Sequence, residues 1–157
     1  MKKLPYKEGT WFKVPLRTDG YALGVVARMA LKGEVFLGYF FGPKRIDPCN
    51  LQEVCDLTPA QSILSLMVGD LGLMNGQWAI VGNCENWSRL AWVIPKLVRI
   101  ERLTGQTYLV EYDGNDPSQM IKETKMKEED SKNLQEDILA GYGSVEIKLT
   151  KLLDTTW

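Results

Sequence analysis

Three apolar runs, rich in β-branched and aromatic residues and parted by short glycine turns, fill positions 10–41 and constrain the fold more than anything else in this chain. Residues 10–16 (TWFKVPL) are extended and partly alternating, and they stop at the turn-forming Thr18-Asp19-Gly20. Residues 20–31 then read as a long strand rich in Val and Ala, Lys32-Gly33 makes a second turn, and residues 34–41 (EVFLGYFF) place aromatics on both faces. A strand apolar on both faces belongs in the middle of a sheet. The first 42 residues are therefore predicted to form a β-meander.

Further along, residues 43–56 lack periodicity and carry two prolines, which predicts a loop with one short helical turn at 50–54. Thr58-Pro59 supplies an N-cap hydroxyl and a proline at the first helical position. Ala60, Ile63, Leu64, Met67, Val68 and Leu71 then recur at three- and four-residue steps, so the main helix is predicted over 59–71. A short strand follows at 77–81, and 83–95 is an aromatic-rich loop. Strands at 96–103 and 107–112 are joined by Thr104-Gly105-Gln106, with glycine where a bulged hairpin needs positive φ. Residues 113–137 turn polar, with a short helix at 127–137. Alternation of Val145, Ile147 and Leu149 against Glu146, Lys148 and Thr150 predicts a last strand at 144–153. The sum is an α+β fold: a single domain over 1–157, with a mainly antiparallel, strongly curved, barrel-like sheet and one main helix.

A length of 157 residues with 45% hydrophobic and 25% charged residues suits one well-buried core. The chain contains no histidine, which excludes Ser-His-Asp, Cys-His and histidine-ligated metal chemistry. Its net charge of −1 offers no field to hold nucleic acid, so no direct nucleic-acid binding is expected. Three cysteines, Cys49, Cys55 and Cys84, fit no CxxC spacing. They argue against a disulfide framework or thiolate zinc site and favour a reducing cytoplasm. The lysine-led start lacks the apolar run of a signal peptide, and no stretch approaches a membrane span, so no membrane association is expected.

Carboxylates are the remaining acid–base groups. Glu111, Asp113 and Asp116 lie close together at the end of a hairpin strand, as a glycosidase pair or metal site would. The plainer reading is turn chemistry in Asp113-Gly114-Asn115-Asp116-Pro117, and no catalytic residue, metal or cofactor is assigned. Phosphate-loop spacing is absent, and Cys84 has no base to activate it. Trp87 and Trp92 stand in a segment with few other core signals; packing of their loop onto the sheet is the plain reading, and interface anchors the functional one. Residues 111–137 hold nine acidic residues against four lysines, a local charge of −5 that includes Glu128, Glu129 and Asp130. Such a stretch is ordinarily a solvated face, and with exposed aromatics it would suit a basic protein partner.

Residues 7–16 (KEGTWFKVPL), 19–26 (DGYALGVV), Trp87 before Pro95-Lys96, 103–112 (LTGQTYLVEY) and 141–150 (GYGSVEIKLT) resemble the immunity protein 26 family of bacterial polymorphic toxin systems. The resemblance implies an antidote that binds and neutralises a cognate toxin domain, often a nuclease, without enzyme activity. On that reading Trp87, Trp92 and the six carboxylates named above are partner-binding residues. Two rivals belong to other classes: a small barrel-like module that binds a ligand or nucleic acid through its aromatics, and a carboxylate-dependent hydrolase.

Overall fold

The computed structural model describes residues 3–157; Met1 and Lys2 of the lysine-led start lie outside them. The expected meander is present as β1 (Thr10–Pro15), β2 (Tyr21–Met29) and β3 (Val35–Arg45). They pair antiparallel, with Trp11 opposite Val25 and Val25 opposite Tyr39. Three further strands, β4 (Leu64–Gly69), β5 (Ile80–Asn83) and β10 (Leu139–Ala140), complete a six-stranded sheet in the order β10-β4-β3-β2-β1-β5. A second sheet runs β8-β7-β6-β9, from β6 (Leu97–Ile100), β7 (Thr107–Asp113), β8 (Asp116–Met126) and β9 (Gln135–Glu136). Pairing is antiparallel apart from β10 with β4 and β9 with β6. Neither sheet closes, so the barrel-like expectation is corrected to two open sheets.

Both faces of the large sheet are covered, which explains its continuous apolar runs. Phe12, Val26, Phe36, Phe40 and Val68 face one core with Trp78, Val145 and Leu149. Trp11, Val25, Leu37, Tyr39, Phe41 and Met67 face another with Trp92 and Leu97. Pleating alone sends neighbours such as Trp11 and Phe12 into different layers. Trp78, just before β5, stacks on Phe12 at a ring separation of 5.3 Å.

Two predicted elements exchange identity. The helix expected over 59–71 is a single 3-10 turn (Pro59–Gln61), then β4, then the short α2 (Leu71–Met74). Its start signal is real, since the Gln61 carboxamide accepts from the Thr58 amide at 2.9 Å. Beyond it, Leu66 and Val68 enter one core and Met67 the other, and a doubly buried strand masks its own period. Conversely, the strand expected at 144–153 is helix α3 (Tyr142–Leu153). Val145, Glu146, Leu149 and Thr150 are the buried positions, a four-residue recurrence; Ile147, the middle member of the alternation, is only half-buried.

Smaller differences follow the same logic. The strand expected at 77–81 begins at Ile80, because Trp78 turns inward. The short helical turn at 50–54 is present as α1 (Leu51–Val54), capped by the Asn50 side chain. The hairpin of β6 and β7 forms with Leu97 opposite Val110, and Gly105 has φ 72°. The polar stretch after it is the long exposed strand β8, and the helix expected at 127–137 is a 3-10 turn (Glu128–Ser131) followed by β9.

Candidate functional site

The segment from Cys84 to Pro95 has almost no regular structure, yet it is held at five points. Cys84 is joined to Cys55, 29 residues earlier, which corrects the expectation of unpaired cysteines and removes the cysteine argument for a reducing compartment. No spacing rule finds such a pair, because it is set by the approach of α1 to β5. Cys49 remains free, and burial pushes its thiol pKa up.

Trp92 is the second anchor. It is 5% exposed and meets Tyr39, Trp11 and Phe41 edge-on at 5.3, 5.9 and 6.0 Å. Trp87 stacks on it at 4.9 Å and lies against the backbone of Gly9. Packing thus accounts for Trp92 wholly and for Trp87 in large part. Burial raises the Tyr39 phenol pKa, and its hydroxyl donates to the Val93 carbonyl at 2.5 Å.

Arg89 clasps two distant parts of the chain. Its Nε donates to Glu8 at 2.9 Å, Nη1 to Asn115 Oδ1 at 2.8 Å, and Nη2 to the Gly114 carbonyl. The Arg89 carbonyl accepts in turn from Arg28 Nη2 at 3.0 Å. Arg28 is 6% exposed, and burial, then the neighbouring Arg89 charge, lower its pKa. Three buried side-chain nitrogens have no acceptor within the protein among the described residues: Trp11 Nε1, Arg28 Nε and Trp87 Nε1. All three border this one loop, where polar satisfaction has yielded to shape.

On this pinned backbone a 3-10 turn (Arg89–Ala91) holds Leu90 outward at 89% exposure, with Val93 at 56%. Two open clefts flank it. One, of about 660 Å³, is lined by Lys7, Glu8, Asn83, Trp87 and Arg89. The other, of about 320 Å³, is walled by Trp11, Trp87, Trp92, Thr58, Pro59 and the disulfide. The loop is an apolar knob on a rigid mount.

The carboxylates singled out from sequence fall in three places. Asp113 and Asp116 face one another at the tip of the β7–β8 hairpin and serve the turn: Asp113 accepts from the Asn115 amide, Asp116 from the Ser118 amide and hydroxyl. Arg89 grips the residues between them, so this tip adjoins the aromatic loop. Glu111 stands opposite Lys122 of β8. Glu128, Glu129 and Asp130 follow the far end of β8, where Met126 opposes Thr107, roughly 20 Å along the hairpin from the tip. Among the described residues no three His, Cys, Asp or Glu side chains are grouped to hold a metal ion.

Sequence reading missed Arg89, Glu8 and Leu90. The partners of Arg89 lie 81 and 26 positions away, and nothing local marks them. No helix among the described residues is long and apolar enough to cross a membrane. A family model described as Immunity protein 26 matches residues 7–109, a span that contains the whole aromatic loop but ends inside β7, before the carboxylates. No curated protein and no solved structure is a match.

Proposed function

The chain belongs to the immunity protein 26 family, and we propose that it works by stoichiometric association with a cognate toxin domain, a basic nuclease, without turning over a substrate. The observation that carries the contact surface is the 84–95 loop: Leu90 and Val93 exposed on a backbone already fixed by Trp92, Arg89 and Cys84. An apolar side chain carried on a backbone fixed beforehand spares the cost of ordering the loop on binding, which makes an effective interface anchor. Asp113 and Asp116 at the adjoining hairpin tip supply an acidic rim for a basic partner. Glu128, Glu129 and Asp130 act at longer range, through the rate of encounter.

The test identifies a toxin domain encoded beside this chain and titrates the chain into its nuclease activity. Inhibition should reach its end point at one antidote per toxin, and Leu90→Asp should weaken binding on the order of 30-fold. Activity untouched by an excess of the chain refutes the reading; full inhibition by Leu90→Asp moves the contact surface elsewhere. In the cytoplasm the glutathione pool would meet an exposed disulfide at the wall of this site, which links location to thiol state.

A further inference from the structure

We propose that Cys55–Cys84 is a reducible clasp that sets the order of the 84–95 loop, so that docking through this loop responds to the thiol–disulfide state; the coupling to docking rests on the reading of the loop as the contact surface. Cys55 is exposed and Cys84 half-buried, and both sulfurs' residues wall the cleft between the loop and Thr58-Pro59. A small thiol therefore has a path to the bond. Exposure raises the reduction potential of a disulfide and with it its susceptibility to exchange.

The placement makes the effect local. Cys84 directly follows β5, whose pairing with β1 runs to Asn83 opposite Thr10, and Cys55 directly follows α1. The bond thus ties two surface segments, 46–58 and 84–95, that otherwise meet only by packing, through Val54 and Leu57 in the core shared with Trp87 and Trp92; the chain it closes contains β4 and β5 but not β1, β2 or β3. With it open, the loop keeps the Arg89 clasp and the Trp92 plug but loses its N-terminal fixing point, beside Trp87. Burial raises the thiol pKa of Cys49, the third cysteine, which disfavours it as the attacking sulfur in exchange.

The step balances as ordinary thiol–disulfide exchange. One thiolate of a dithiol reductant attacks a cysteine sulfur and breaks the S–S bond. The second displaces the mixed disulfide. The protein takes up two electrons and two protons as two thiols, and the reductant leaves as its cyclic disulfide.

The test is hydrogen exchange read by mass spectrometry on the full chain, oxidised, reduced with dithiothreitol, and as the Cys55→Ser/Cys84→Ser double variant. Reduction should raise exchange across 84–95 and 46–58 roughly tenfold or more while β2 and β3 stay protected over the same labelling times. The double variant should show the fast rates with or without reductant. Three results overturn the clasp: loop exchange unchanged after both thiols are freed, protection lost in β2 and β3 together with the loop, or three free thiols in protein equilibrated with oxidised glutathione. A loop that loosens on reduction while Leu90→Asp still inhibits the toxin fully refutes the docking surface and keeps the clasp. A loop indifferent to reduction with docking weakened as expected by Leu90→Asp does the reverse.

Discussion

Gly9 and Trp87 fit so closely that a β-carbon on Gly9 would lie 2.9 Å from Trp87 Cγ, and Gly9 also sits at φ 88°, where side chains are strained. The two effects add in Gly9→Ala, which should lower stability by about 2–4 kcal/mol and shift the Trp87 fluorescence. Gly105→Ala has a similar φ of 72° but nothing within 4 Å, so only the backbone strain of about 1 kcal/mol remains. Equal urea midpoints for the two variants would mean that Trp87 moves aside freely.

Glu146 stands at the centre of the other core. On the buried face of α3 it accepts from Gln77 Nε2 at 2.7 Å, Trp78 Nε1 at 2.9 Å and Arg17 Nε at 3.2 Å. Glu146→Ala leaves the Trp78 indole, 1% exposed, without an acceptor and should reduce unfolding free energy by about 3–4 kcal/mol. Glu146→Gln retains an oxygen and should lose less than half of that in urea denaturation.

Trp92 and Leu90, two residues apart, should separate stability from binding. Trp92→Ala empties a site between Tyr39, Trp11 and Phe41 and should destabilise by about 3–5 kcal/mol. Leu90→Ala removes a side chain that faces solvent and should leave thermal stability within about 0.5 kcal/mol of the parent while weakening toxin association. A Leu90→Ala variant that melts early would make the loop part of the core.

Alkali should unfold this protein through its buried tyrosines. Burial, and then the hydrogen bond from the Tyr6 hydroxyl to Asp70 at 2.8 Å, raise the Tyr6 pKa far above the ordinary 10; burial raises that of Tyr39 as well. A raised folded-state value means that the stabilisation is complete below pH 10, where both states hold the proton. Above pH 10 the unfolded chain loses protons that the folded one keeps, so stability falls by about 1.4 kcal/mol per pH unit for each such tyrosine. Tyr6→Phe should flatten the slope of urea-derived stability between pH 10 and 11 by one proton, whatever it does to stability at pH 7.

Neutralising Glu128, Glu129 and Asp130 together should slow association with a basic toxin on the order of tenfold at low salt and flatten its salt dependence, with dissociation little changed. These side chains lie on an exposed 3-10 turn remote from the aromatic loop, so they contribute field rather than contact. Stopped-flow rates that ignore the triple variant at low ionic strength would place the acidic face outside the encounter path.

The first three strands, the β6–β7 hairpin, the α1 turn and the polar character of 113–137 were legible in residue order, because each depends on neighbours within a few positions, as apolar runs and turn glycines do. So were Trp87 and Trp92 as members of a notable loop and the absence of histidine chemistry. Whether 64–69 was strand and 142–153 helix depended instead on what covers each face, since both segments satisfy two periods at once and only burial chooses between them. The site itself was more tertiary still. Cys55 meets Cys84, and Arg89 meets Glu8 and Asn115, because segments distant in the chain converge there, a condition that no local spacing records.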